Sequence, residues 1–265
     1  HIPQGKITIK LLKSLKIKYE IISENKDQFK IIKNLKDYAL KNSAPVALIF
    51  TKKYTSPHKN LSIKSKSNNN AMKRIEAIEE TLKHTKKNDI IIATTGKTAR
   101  ELYLLRQRKS LISNDLYVVG GMGHASSIGL GIMENIVNRR IFLLDGDGAM
   151  LMHMGILSLL GVQKNNTFFH LLLNNSCHDS VGGQPTSIIN IDMKYLSKAF
   201  KYKSYAELKT KSSINSYFLK FKNKKVSHLL NIKISKGSEI NLPRPKECPK
   251  MNLNAFRKVV NYKDK

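Results

Sequence analysis

Two rhythms alternate along the chain. Apolar residues recur at helical spacing over residues 7–15 and 29–40, whereas residues 17–22 and 46–50 are short apolar runs of strand length. Together they predict a small α/β piece over residues 1–51, marginal as an independent domain at about 50 residues. Residues 52–70 (KKYTSPHKNLSIKSKSNNN) have little apolar content and no period, and predict an exposed linker. Beyond it the pattern predicts helix over 71–86, strand 89–94, helix 98–108, strand 116–119, helix 125–137, strand 141–144, helix 149–162, strand 168–173 and helix 192–200. Short apolar strands alternating with helices imply an α/β fold, a doubly wound parallel sheet covered on both faces, in a domain spanning 71–265. The sites of such sheets lie at the carboxyl ends of the strands. After residue 201 the signal weakens to one strand at 226–234 and a proline-rich exit at 243–249.

Composition narrows the classes. With 265 residues, 41% of them apolar, the chain can fill a core, which excludes wholesale disorder. The best candidate for a membrane span, residues 149–162, is interrupted by His153 and falls short of the roughly 20 residues required. Cys177 and Cys248 stand far apart in no metal-ligand spacing, so neither a disulfide framework nor a zinc site is expected, and a reducing cytoplasm fits best. The net charge of +28 invites a nucleic-acid reading, but residues 110–200 hold five basic and six acidic residues, a net −1. The excess is Lys-biased, 39 Lys to 8 Arg, and reads as solvated surface, so neither nucleic acid nor membrane is expected as a partner. The chain starts at His1 with no signal peptide, and the expectation is a fragment or a displaced start lacking upstream sequence.

Glycine locates the chemistry. Eleven of the 14 glycines fall between Gly120 and Gly183, where backbone must approach something closely. In IFLLDGDGAMLMHMG an apolar strand ends at Asp145-Gly146-Asp147-Gly148 and a helix follows at once. A carboxylate there can hold a divalent cation while backbone N–H groups meet a diphosphate, although Asp-Gly turns between strand and helix are common. The next strand ends 25 residues after Gly148, at Asn174-Asn175, one crossover away and therefore at the same sheet edge. Asn175 offers a hard amide oxygen; the alternative is a turn in which both side chains bond their own backbone. Met150, Met152 and Met154 read as core.

Gly146-Asp147-Gly148 and Asn174-Asn175 at this spacing resemble the cofactor motif of thiamine diphosphate enzymes. Residues 94–102 (TTGKTAREL), 120–127 (GGMGHASS), 146–155 and 174–186 (NNSCHDSVGGQPT) are similar to the phosphonopyruvate decarboxylases, over about residues 1–260 and most strongly over 89–202. The resemblance implies a thiamine-diphosphate-binding sheet domain and, for residues 1–51, the end of a preceding pyrimidine-binding domain. It implies thiamine diphosphate and Mg²⁺ as cofactors, with the metal held by Asp147, Asn175 and the carbonyl of Cys177. Gly146 and Gly148 would let the diphosphate lie on backbone, the Gly120 carbonyl would accept the cofactor's amino group, and Met122 would bend the cofactor. Catalytic roles fall to His178, His124 and Asp179, and substrate contacts to Ser180, Gly182, Gly183, Gln184 and Arg100. The activity implied is decarboxylation of 3-phosphonopyruvate to phosphonoacetaldehyde and CO₂ in phosphonate biosynthesis. The alternatives are the diphosphate-binding subunit of a sulfopyruvate decarboxylase, or a truncated, inactive chain. The partners implied are a small 2-keto acid bearing a phosphonate or sulfonate, and a homo-oligomer or a complex with a pyrimidine-binding domain. The family's activating glutamate has no match in residues 1–59, so the chain alone is expected to be inactive.

Overall fold

The computed structural model describes residues 2–22, 27–51, 71–109, 115–221 and 225–260. The chain divides into two units, His1–Ser65 and Lys66–Lys265. The linker expected at 52–70 lies outside the described residues.

The first unit runs α1 (Ile2–Ser14), β1 (Lys18–Ile21), α2 (Gln28–Asn42), β2 (Val46–Ile49). β1 and β2 pair in parallel, Lys18 opposite Val46 through Ile21 opposite Ile49. Asp27 caps α2 by accepting the Lys30 N–H, and Ser43 ends it in the left-handed region at φ 46°. Among the described residues of this unit only Ile22 and Leu35 are buried hydrophobics, while Phe29 is 87% exposed. Two strands and so small a core make a marginal unit.

The second unit holds one six-stranded, all-parallel sheet in the order β4-β3-β5-β6-β8-β7. Its strands are β3 (Ile90–Ala93), β4 (Leu116–Tyr117), β5 (Arg140–Gly146), β6 (Thr167–Asn174), β7 (Ser204–Leu208) and β8 (Ser227–Lys233). Helices α3 (Arg74–Leu82), α4 (Lys97–Arg108) and α9 (Lys211–Phe221) cover one face; α5 (Ala125–Asn135), α6 (Asp147–Met152), α7 (Leu157–Leu160), α8 (Met193–Ala199) and α10 (Pro249–Val260) belong to the other. Strand side chains alternate between two cores: Ile91, Phe142 and Phe169 pack with Leu102 and Phe218, and Ile90, Ile141 and Phe168 pack with Met133 and Leu157. No helix among the described residues is long and apolar enough to cross a membrane.

The structure departs from the sequence reading where local signals mislead. The helix expected over 149–162 starts at Asp147 and breaks at His153 (φ −134°, ψ 43°), giving way to a 3₁₀ turn, Met154–Ile156, before α7. Gly155 sits at the break, where its poor helix propensity favours interruption. The break leaves Met152 56% exposed, correcting its reading as core; Met150 is buried as expected. β7, α9 and α10 were not anticipated. α10 seals the sheet edge: Asn252 accepts the Tyr117 backbone N–H at 3.0 Å and donates to the Asp115 carbonyl at 2.8 Å.

The topology fixes where a ligand can sit. β4 lies on one side of β3 and β5 on the other, so the connections leaving β3 and β5 diverge and open a crevice at their carboxyl ends.

Candidate functional site

Three loops meet at that crevice. Register pairs Ala93 with Leu144 and Gly146 with Leu173, so residues 94–96, 146–148 and the chain after Asn174 leave the same sheet edge. The loop after β6 folds back on itself. His178 N–H donates to the Gln184 carbonyl (2.8 Å), Thr186 N–H to the Ser176 carbonyl (3.0 Å), and the His178 carbonyl accepts Val181 N–H and Gly183 N–H (both 3.0 Å).

That fold-back places Thr186 on Asp147, its hydroxyl donating to Oδ2 at 2.7 Å. Asp147 is 3% exposed, and burial pushes its carboxyl above the usual range; the bonds from Thr186 and the Gly148 backbone offset this only in part. Nearby, Thr94 Oγ1 at the end of β3 is buried without a hydrogen-bond partner. Gly148 must lack a side chain, because a Cβ would come within 2.6 Å of the His178 ring and 3.3 Å of Met122 Cε. His178 and Met122 therefore converge over the turn that carries Asp147. Gly96, at φ 94°, likewise leaves room for Ser180, whose Oγ would lie 2.8 Å from an added Cβ.

Both asparagines accept the N–H two residues on, the turn expected as the alternative, and they differ in what the amide nitrogen meets. Asn174 is structural: its amide donates to Asn231 Oδ1 (3.0 Å), and its oxygen accepts Ser176 N–H (3.1 Å). Asn175, also buried, donates through Nδ2 to Asp179 Oδ2 at 2.5 Å and accepts Cys177 N–H at Oδ1 (3.1 Å). Burial, aided by Asp179, pushes the Cys177 thiol up to about 12, so the sulfur stays protonated and donates to Asp179 Oδ1 at 3.1 Å. Its carbonyl remains the donor suited to a hard cation.

Other residues singled out from the sequence are engaged differently. Asp179, expected to be catalytic, accepts Arg74 Nη2 at 2.8 Å and Gly237 N–H at 3.0 Å besides Asn175 and Cys177. Arg100 is directed at the carbonyls of Pro243 (3.0 Å) and Leu242 rather than at the loop 178–184. Gly183 N–H, a candidate anion donor, bonds the His178 carbonyl. Gln184 folds against Gly182, and Gly120 is exposed at φ 73°. His124 begins α5 without a side-chain capping bond; its ring packs on His153, centroids 4.3 Å apart.

A buried network beside the site was missed. Asp145 accepts the Gly146 N–H at 2.9 Å and lies 3.2 Å from His170 Nε2, whose Nδ1 lies 3.0 Å from the Tyr202 hydroxyl. Burial, with Asp145 nearby, holds the Tyr202 phenol protonated. The signal was available: an acid and a histidine inside the apolar runs IFLLD and FFHLLL need buried partners. Arg74, 105 residues from Asp179, gave none.

A carboxylate, an amide oxygen and a main-chain carbonyl are each hard donors, and the orphaned Thr94 hydroxyl fits a ligand rich in acceptors. Residues 92–229 match the family described as thiamine pyrophosphate enzyme, C-terminal TPP binding domain. The chain belongs to this family. It is 32% identical to phosphonopyruvate decarboxylase of Streptomyces viridochromogenes over 71% of this chain and 46% of that protein. It is 34% identical to sulfopyruvate decarboxylase subunit beta of Methanothermobacter thermautotrophicus over 49% of this chain and 68% of that one. The thiamine diphosphate-dependent 4-hydroxybenzoylformate decarboxylase of Rhodococcus jostii RHA1 superposes with a TM-score of 0.50 at 14% identity, covering 64% of this chain and 33% of that one, a likeness of fold. The chain spans less than half the length of the phosphonopyruvate decarboxylases it matches, 46% and 45%.

Proposed function

We propose that this chain is the Mg²⁺ and diphosphate-binding part of a thiamine-diphosphate-dependent 2-keto acid decarboxylase acting on 3-phosphonopyruvate, releasing CO₂ and phosphonoacetaldehyde. The observation that carries the reading is Asp147, a buried carboxyl with a raised pKa at a sheet edge shared with the Asn175 amide. An ion there would relieve the cost of burying the charge. Asp147, Asn175 and the Cys177 carbonyl would hold Mg²⁺, the Thr94 hydroxyl and the backbone at Gly146 and Gly148 would face the diphosphate, and Met122 would keep the cofactor bent.

The cofactor, when bound, supplies an electron sink for the electrons left as the carboxyl carbon departs. The chain's own residues bind, orient and exclude water. His178, whose ring lies over Gly148, would donate a hydrogen bond to substrate or pass it a proton; Ser180 and Gly182 would receive the phosphonate. Arg100 and Asp179 are left out of direct substrate contact because their charged groups are already engaged.

Sulfopyruvate is the second reading, supported by relatives that act as sulfopyruvate decarboxylase subunits. A subunit name among them also supports a complex here, with a pyrimidine-binding domain completing the site. Carbon dioxide release, measured with such a domain supplied, is expected to be fastest with phosphonopyruvate, then sulfopyruvate, then pyruvate. A preference for pyruvate would remove the anion-recognition argument. The 265 residues alone are expected to bind cofactor yet release CO₂ at least about 100-fold more slowly, in the range general acid–base catalysis contributes.

A further inference from the structure

An asparagine can ligate a cation only through its oxygen, yet its oxygen and nitrogen ends have nearly the same shape. Something must decide which end faces the ion. In this chain Asp179 Oδ2 accepts Asn175 Nδ2 at 2.5 Å, a bond the amide can make only in one of its two orientations. Asn175 Oδ1 is thereby turned away from Asp179, where one lone pair takes the Cys177 N–H and the other remains for a ligand. Asp179 is itself fixed. Arg74, 6% exposed on the first turn of α3, reaches it at 2.8 Å; Gly237, after β8, donates its N–H at 3.0 Å and accepts from Arg74 Nη1 at 3.3 Å. The same guanidinium lies 3.5 Å from buried Glu101 on α4, so two elements remote in sequence converge on the Asp179 carboxylate and a third helps hold the guanidinium.

We propose that Asp179, locked by Arg74, is a positioning residue that sets the orientation of the Asn175 amide for the metal. The inference rests on the Mg²⁺-binding reading above. It assigns Asp179 a task other than catalysis and gives Arg74 one although it touches neither cofactor nor substrate. Ligand orientation by a neighbouring carboxylate is a general way to raise metal affinity.

The test is a double-mutant cycle read by calorimetry of thiamine diphosphate binding with Mg²⁺. Asp179→Asn should weaken Mg²⁺-dependent binding at least fivefold, because the new amide can pair with Asn175 in either orientation. In an Asn175→Asp background the same substitution should cost nothing or improve binding: a carboxylate ligand has two equivalent oxygens to orient, and two facing acids are reduced to one. Equal losses in both backgrounds would mean that Asp179 only holds the loop together, and would overturn the proposal. A second readout is the Asn175 side-chain N–H signal by NMR. It should be shifted downfield, persist when Mg²⁺ and thiamine diphosphate are added, and vanish in Asp179→Asn; its loss on ligand addition to the parent would also overturn the proposal. If the parent binds thiamine diphosphate no better with Mg²⁺ than without, the functional reading falls and this inference with it. If the parent requires Mg²⁺ but Asp179→Asn binds equally well, the inference alone falls.

Discussion

Asp145 and Asp147 stand two residues apart where β5 turns into α6, exposed to only 0% and 3%, yet their surroundings are unlike. Asp145 pairs with His170, which Tyr202 holds from the far side of the ring, and accepts the Gly146 N–H. Asp147 has the Thr186 hydroxyl and nearby backbone, which do not compensate its burial, so its carboxyl is pushed up. A buried acid paired with a ring that a second buried side chain holds in place reads as framework. One whose bonds do not offset its burial, at a sheet's carboxyl edge, fits the metal-binding reading proposed above. The difference teaches that two equally buried carboxylates can be told apart by whether their partners offset the burial, which under the proposed function would separate a framework acid from a ligand.

The comparison can be broken by mutation. Asp145→Ala would leave His170 facing a void and should lower unfolding stability by about 3 kcal/mol, read from urea denaturation. Asp147→Asn should do the reverse, raising the stability of the metal-free chain by about 1 kcal/mol because a poorly compensated buried charge is removed. The same substitution should weaken Mg²⁺-dependent cofactor binding at least about tenfold, or ~1.4 kcal/mol. If both substitutions destabilised the fold alike, the distinction would collapse.

pH sharpens the contrast. A carboxyl whose pKa is raised by folding is bound to its proton more tightly in the folded chain. The Asp147 contribution therefore favours folding at low pH and is lost as pH rises from the ordinary carboxylate value to the raised one. Metal binding needs the ionised form, so cofactor affinity should climb over that same window, with proton release visible as a buffer-dependent binding enthalpy. Asp147→Asn should flatten both dependences. Smaller effects are expected at the neighbours. Thr186→Val removes a donor to Asp147 and should push its pKa further up and weaken cofactor binding by roughly 1 kcal/mol, whereas Tyr202→Phe should cost a similar amount of stability and leave binding unchanged.

What was legible in the sequence follows the same division. The strands of the second unit through β6 are short apolar runs alternating with helices, so their number and parallel pairing, though not their order in the sheet, could be read directly, and Gly146-Asp147-Gly148 followed by Asn174-Asn175 marked the edge that the register brings together. β7 (SYAEL) at the sheet's rim has its polar residues at Ser204 and Glu207, out of step with a strand's period, and α10, though Leu253, Phe256 and Val260 recur at helical spacing, is obscured by the proline-rich stretch before it. His153 ended a helix that the apolar pattern continued. At the candidate site, the residues of the local motifs were visible, whereas those that join it through tertiary contact were not. Thr186 reaches Asp147 only because the loop folds back, and Arg74 reaches Asp179 from α3. Arg100 shows the converse, a cation whose sequence neighbourhood suggested substrate while its guanidinium binds the carbonyls of the tail.

The most direct test of the account is a calorimetric titration of the chain with thiamine diphosphate, once in Mg²⁺ and once in chelator. Saturable one-to-one binding in Mg²⁺, lost in chelator and lost in Asp147→Asn, is the predicted result. Binding of the same strength in all three conditions would contradict the assignment of Asp147 and Asn175 to a metal-bridged diphosphate.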